Sequence, residues 1–111
     1  MDLSEIAFKA AEVLSEKGLC KDRTQDSQGR LCYYGAVLTA MYGERNTVNG
    51  LEQFPYTFPG AAAVAGVSDC TSEILAERGE GAITPNEYND RPETTAEDVI
   101  LLLKETGARL S

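Results

Sequence analysis

Tyr88-Asn89-Asp90-Arg91-Pro92-Glu93-Thr94-Thr95-Ala96-Glu97 joins a stiff polar elbow to the start of a helix. Arg91 precedes a proline, whose ring disfavours the α conformation in the residue before it, so no helix runs through this position. Thr94 and Glu97 have the spacing of a capping box, in which each side chain satisfies a free backbone N–H of the first turn. Beyond them Val99, Ile100, Leu103 and Leu110 recur at helical spacing, which predicts a last helix over 94–109. The elbow also sets an amide (Asn89), a carboxylate (Asp90) and a guanidinium (Arg91) side by side, so these are candidate binding residues. Acting together, they offer a hydrogen-bonding amide, a base and an anion clamp. Alternatively, Asn89 and Asp90 tie the turn down by bonding nearby backbone N–H groups. The structural reading is the more economical, because a lone Asp with no second carboxylate, histidine or metal set makes a weak catalytic group.

Working outward, Leu3, Ile6, Ala7, Ala10, Val13 and Leu14 mark one face of a helix over 3–17, with Glu5, Lys9, Glu12 and Glu16 toward water. Asp2 with Glu5 caps its start, and Gly18 is expected to end it in left-handed geometry. The stretch 19–30 is polar. Asp26-Ser27-Gln28-Gly29 reads as a tight turn with positive φ at Gly29, and its flanks form either a short hairpin or an irregular loop. Asp22 and Asp26 suggest calcium only faintly, since the other ligands of a calcium loop are missing. A second helix over 31–42 is expected to bury Leu31, Tyr34, Gly35, Leu38, Met41 and Tyr42. Gly43 stops it, and Gly35-Ala36 offers a smooth patch for a neighbouring helix. Small residues from Gly60 onward predict one or two short helices ending at Gly79, and Ala82-Ile83-Thr84-Pro85 is expected to lead extended into the elbow.

Between these helices, Phe54-Pro55-Tyr56-Thr57-Phe58-Pro59 interleaves three aromatics with two prolines. The rings either fold back over the core or form an exposed patch for a partner, aromatics being common at binding hot spots. Phe54, Tyr56 and Phe58 are therefore the second set of candidate binding residues.

Composition narrows the chemistry. The chain has 111 residues, 42% of them hydrophobic and 25% charged, which suits one soluble domain with a single modest core. No apolar stretch approaches a membrane span, and the acidic N-terminus lacks the pattern of a signal peptide, so a cytoplasmic protein with no membrane contact is expected. The net charge is −8. Residues 1–68 hold eight acidic and six basic groups, net −2, and residues 69–111 hold ten and four, net −6. Such a field repels a phosphate backbone, so direct nucleic-acid binding is not expected. The chain contains no histidine, which removes Ser-His and Cys-His nucleophilic pairs and the commonest zinc ligand. Cys20, Cys32 and Cys70 are expected to be reduced, buried thiols, with a Cys20–Cys32 pair the one disulfide to consider. No cofactor, metal or catalytic residue is expected.

The order of features, Glu16-Lys17-Gly18-Leu19-Cys20, then Asp26 to Cys32 running into Gly35-Ala36, then Ile83, Tyr88-Asn89-Asp90 and Thr94 to Val99, resembles a domain family of unknown function found in actinobacteria and their bacteriophages. The resemblance covers residues 5–43 and 82–108. Leu19 and Tyr88 stand where members of that family often carry tryptophan, and the Phe54 to Pro59 segment matches nothing in it. It implies a small, mostly helical, cytoplasmic protein of a bacterium or phage and brings no catalytic residues with it.

The expected architecture is a mainly α, compact single domain over 1–111, of about four helices with room for one short β-hairpin. The expected function is a non-enzymatic interaction factor, a phage accessory protein that binds a bacterial host protein. The alternative is a small-ligand binder or unusual enzyme using Asn89, Asp90 and Arg91. A third reading is an acidic DNA mimic, and self-association stays open in all three.

Overall fold

A computed structural model describes residues 2–43 and 61–111. Five helices are present among them: α1 (Leu3–Lys17), α2 (Tyr33–Tyr42), α3 (Ala61–Glu77), α4 (Pro85–Asp90) and α5 (Ala96–Leu110). The mainly helical architecture is as the sequence implies, with one helix more. No strand forms among the described residues. The expected hairpin is replaced by two isolated bridges, Leu19 to Leu31 and Gln25 to Leu31, inside an irregular loop. The aromatic segment with Phe54, Tyr56 and Phe58 lies outside the described residues.

α1 follows its pattern closely. The Asp2 carboxylate accepts from the N–H of Glu5, and Ile6, Ala7, Ala10, Val13 and Leu14 are buried. Gly18 closes it at φ 89° and ψ 170°, a positive-φ extended conformation rather than the left-handed helical one the sequence suggests. Antiparallel to α1 runs α5. Ser4 Oγ donates to the Gly107 carbonyl at 2.9 Å, and the Phe8 ring lies so close that a Cβ on Gly107 would meet it at 3.0 Å. Nearer the other end, Ala11, Glu12, Ser15 and Glu16 face Ile100 and Lys104.

α2 departs from its expected face. Tyr33, Ala36, Val37 and Ala40 are buried with Leu38, whereas Tyr34, Met41 and Tyr42 are only partly covered. Nearly every residue of α2 is apolar, so periodicity carries little information; a helix apolar all round is buried on most sides, as seven of these ten residues are. Its first turn is capped by the Cys32 thiol, which accepts from the Gly35 N–H at 3.4 Å. α3 is one 17-residue helix rather than two short ones. It ends in a Schellman motif, with Glu80 N–H bonded to Leu75 O at 3.0 Å, Gly79 N–H to Ala76 O at 3.1 Å, and Gly79 at φ 84°.

Two corrections concern the elbow. Thr95 and Asp98, not Thr94 and Glu97, form the capping box of α5, at 2.9 and 3.2 Å. Thr94 is taken by a different bond, its hydroxyl donating to the Tyr88 carbonyl at 2.7 Å and closing the turn. The lead-in at Ala82 to Pro85 is not wholly extended, because a second capping box, Thr84 with Glu87, starts α4 with Pro85 in its first turn. Arg91 is extended as its proline requires, at φ −61° and ψ 137°.

The glycines that permit close approach are not all where helix packing suggests. A Cβ on Gly35 would lie 2.4 Å from the Thr24 carbonyl oxygen, so it is loop backbone, not another helix, that presses on this site. At Gly66 a Cβ would meet a Leu3 methyl carbon at 2.8 Å. A methyl group can swing aside, whereas a carbonyl held in a hydrogen bond cannot. Gly35→Ala should therefore destabilise the protein by about 1–3 kcal/mol despite the better helix propensity of alanine, and Gly66→Ala by less than about 1 kcal/mol. Urea unfolding of the two variants checks this, and equal effects would contradict it.

Candidate functional site

The elbow is built from the C-terminus of α4, the turn at residues 91–95 and the loop at residues 19–32. Asn89 has no solvent exposure. Its Oδ1 accepts from the backbone N–H of Tyr33 at 3.0 Å. Its Nδ2 donates to the Cys20 carbonyl at 3.1 Å and to Asp90 Oδ1 at 3.0 Å. The same Asp90 oxygen accepts from the Asp22 N–H at 2.9 Å, holding Asp22 at φ 62°. Arg91 pairs with Glu80, and its guanidinium carbon lies 5.8 Å from the centre of the Tyr88 ring. Lys21 reaches across to the carbonyls of Arg91 and Thr94, the latter at 2.8 Å.

The three expected site residues thus part company. Asn89 is spent on internal bonds and Arg91 is paired, so neither is presented to a ligand. Asp90 alone faces a cleft of about 300 Å³, lined also by Asp22, Arg23, Thr24, Cys32 and Asn86. Apart from Asp90, sequence reading assigned none of these residues to a site. Asp22, Arg23, Thr24 and Cys32 belong to the irregular 19–32 loop, brought to α4 by a contact nearly seventy residues apart, and Asn86 is a residue of α4 itself. Phe54, Tyr56 and Phe58 lie outside the described residues, so their place relative to this cleft is not part of the geometry.

The thiols are free and buried. Burial, with the neighbouring Cys32 thiol adding to it, pushes the Cys20 thiol up to about 11. Burial likewise raises Cys32 and Cys70. All three stay protonated at neutral pH, and a protonated thiol is a poor nucleophile. Within the same loop, burial pushes the Asp26 carboxyl up, but hydrogen bonds from the Arg30 side chain and from the Arg30 and Gln28 N–H groups outweigh it and leave the carboxyl below its usual range. Asp26 is committed to its turn, so it does not join Asp22 in a cation site.

A second surface lies along the outer seam of α1 and α5. A groove of about 400 Å³ runs between Ala11, Glu12, Ser15 and Glu16 on one helix and Ile100 and Lys104 on the other. Phe8, 40% exposed, extends the α1 side past Lys104, and Leu101, 52% exposed, is one turn before Lys104 on α5. Both were legible as large apolar residues on otherwise polar helix faces, and neither was singled out.

The sequence pattern defining DUF6197, a family of unknown function, matches residues 1–109. The chain belongs to this family. The match runs through the middle of the chain as well as through the two ends that carry the resemblance in sequence. Neither the curated proteins nor the solved structures include a match to it.

If the Asn89 carboxamide is a structural bridge, removing it strands the Tyr33 N–H and the Cys20 carbonyl inside the protein. Each stranded group costs about 1–3 kcal/mol. Asn89→Ala should therefore lower stability by about 3 kcal/mol or more, while Arg91→Ala, which breaks a pair at the surface, should cost less than about 1 kcal/mol. Denaturant unfolding of both variants decides, and the reverse ranking would sink the structural reading of the elbow.

Proposed function

We propose that the protein is a non-enzymatic interaction factor, a bacteriophage accessory protein that acts in the cytoplasm by binding a protein of the bacterial host. One observation carries this reading. The two large hydrophobic side chains left exposed among the described residues, Phe8 and Leu101, belong to α1 and α5, the two helices that also line a charged groove. Single exposed apolar residues are ordinary, but two on the helices of one polar groove fit the anatomy of a protein contact.

The chemistry of the remaining groups supports the same reading. The amide and guanidinium of the elbow are occupied internally, and burial keeps the thiols neutral. A net charge of −8 favours a partner with a basic patch over nucleic acid, and it disfavours pairing with a second copy of the same chain. Phe54, Tyr56 and Phe58 add aromatic side chains of the kind that anchor such contacts.

Leu101→Asp tests the surface without disturbing the core. Because the side chain is half exposed, the loss of stability should be about 1–2 kcal/mol. It comes from the poorer helix propensity of aspartate, the apolar area given up and the like charges of Glu97 and Glu105 one turn away. A thermal melt of the variant confirms that it is folded before capture. Affinity capture from host lysate should recover a specific protein with the native chain and lose it with the variant. Identical capture by both would remove the α1–α5 seam as the interface.

A further inference from the structure

The cleft beside Asp90 has chemistry that neither the fold nor the proposed interaction uses. Asp90 Oδ1 already accepts two hydrogen bonds, from Asp22 N–H and Asn89 Nδ2, which leaves Oδ2 as its open acceptor. Asp22, exposed, lines the same cleft. Asn86, on the first turn of α4, also lines the cleft, and its Oδ1 is buried yet accepts no hydrogen bond. Buried acceptors are nearly always satisfied, so an orphaned one beside a cleft marks a place where a donor from outside the chain, a water or a bound ligand, completes it.

Two carboxylate residues and one carboxamide residue among the lining of one cleft suit a group with several N–H donors, such as a primary ammonium. Arg23, exposed and on the rim, supplies the opposite charge. Its guanidinium matches a carboxylate rather than a second cation. The volume, about 300 Å³, is at the lower end for ligand sites and fits a small molecule. Two carboxylates argue against a phosphate-rich ligand, and a hard divalent cation needs more oxygens than this wall presents. The Cys32 thiol on the cleft wall is kept protonated by its burial, so it contributes contact and no covalent step.

We propose that the cleft between the 19–32 loop and α4 binds a small zwitterion of the amino-acid type, with its ammonium on Asp22, Asp90 and Asn86 and its carboxylate on Arg23. Asn86 turns its carboxamide oxygen toward the bound ammonium, which relieves the orphaned acceptor. This site is separate from the α1–α5 seam, so it stands or falls independently of the protein partner.

The test is a titration of the full isotope-labelled chain, followed by amide NMR, with each common L-amino acid in turn. Putrescine, an amine without a carboxylate, and acetate, a carboxylate without an amine, serve as controls at matched ionic strength. At least one amino acid should give saturable shifts at residues 22–24, 86 and 90, with both controls binding at least about tenfold more weakly. Asn86→Ala and Arg23→Ala should each weaken that binding by about tenfold, the effect of losing one good hydrogen bond, with no loss of thermal stability. Arg23 is exposed and Asn86 has no internal partner for its oxygen, so both variants keep the fold. The proposal is overturned if no amino acid saturates these shifts, if acetate or putrescine reproduces them at the same concentration, or if Asn86→Ala binds as tightly as the native chain.

Discussion

The carboxamide of Asn89 joins segments that the sequence keeps far apart. With one oxygen and one amino group it ends the backbone of Cys20 on one side and begins helix α2 at Tyr33 on the other, while reaching Asp90 beside it. A serine or threonine hydroxyl also donates and accepts, but from a single atom, whereas asparagine sets acceptor and donor on separate atoms that reach two backbone segments at once. A carboxylate at this position would lack the donor and add a charge next to Asp90; an apolar residue would leave both backbone groups unpaired in the interior. Because α2 is buried over most of its length and packs mainly on α1, fixing its first residue also fixes where α1 and the 19–32 loop meet it.

That constraint orders the surrounding surface. Asp90 holds Asp22 in its positive-φ conformation, Lys21 ties the loop to the turn before α5, and Thr94 closes the elbow from the other side. The elbow is therefore a joint, and the groups free to meet other molecules lie around it. Among the described residues they include the cleft beside Asp90 and, on other helices, the exposed apolar residues Phe8 and Leu101. A hydroxyl chain in the interior, Tyr33 to Thr71 at 2.7 Å and Thr71 to Thr106 at 2.8 Å, satisfies the polar atoms where α2, α3 and α5 converge. Buried polar groups paired in this way favour one arrangement of the helices over others, since any shift would leave hydroxyls unsatisfied.

Helices with two distinct faces were legible in the sequence. α1 shows its apolar stripe, its Asp2 cap and its terminal glycine, and local rules suffice for each. α2 was placed to within two residues, but its buried face was not, because a uniformly apolar helix has no periodicity to read. At α5 the capping box slipped by one residue: two adjacent threonines and two adjacent acids satisfy the same pattern, and only the long-range bond from Thr94 to Tyr88 separates them. α4 was missed although Thr84, Pro85 and Glu87 carry its start signal, since six residues are too few to show a period. The candidate site was half legible. Asn89, Asp90 and Arg91 stood out by type, but which of them faces outward depends on Cys20, Asp22 and Tyr33, contacts that no local pattern encodes.

The N–H of Tyr33 is the most direct probe of the joint. As the first residue of α2 it has no acceptor within its own helix, so in an isolated helix it would exchange with solvent at close to the free rate. Native-state hydrogen exchange should instead find it protected to the same level as the core amides of α1 and α2, because Asn89 must release it before it can exchange. Exchange of the Tyr33 amide at the rate of an open helix end, with the core amides still protected, would contradict the role given to Asn89.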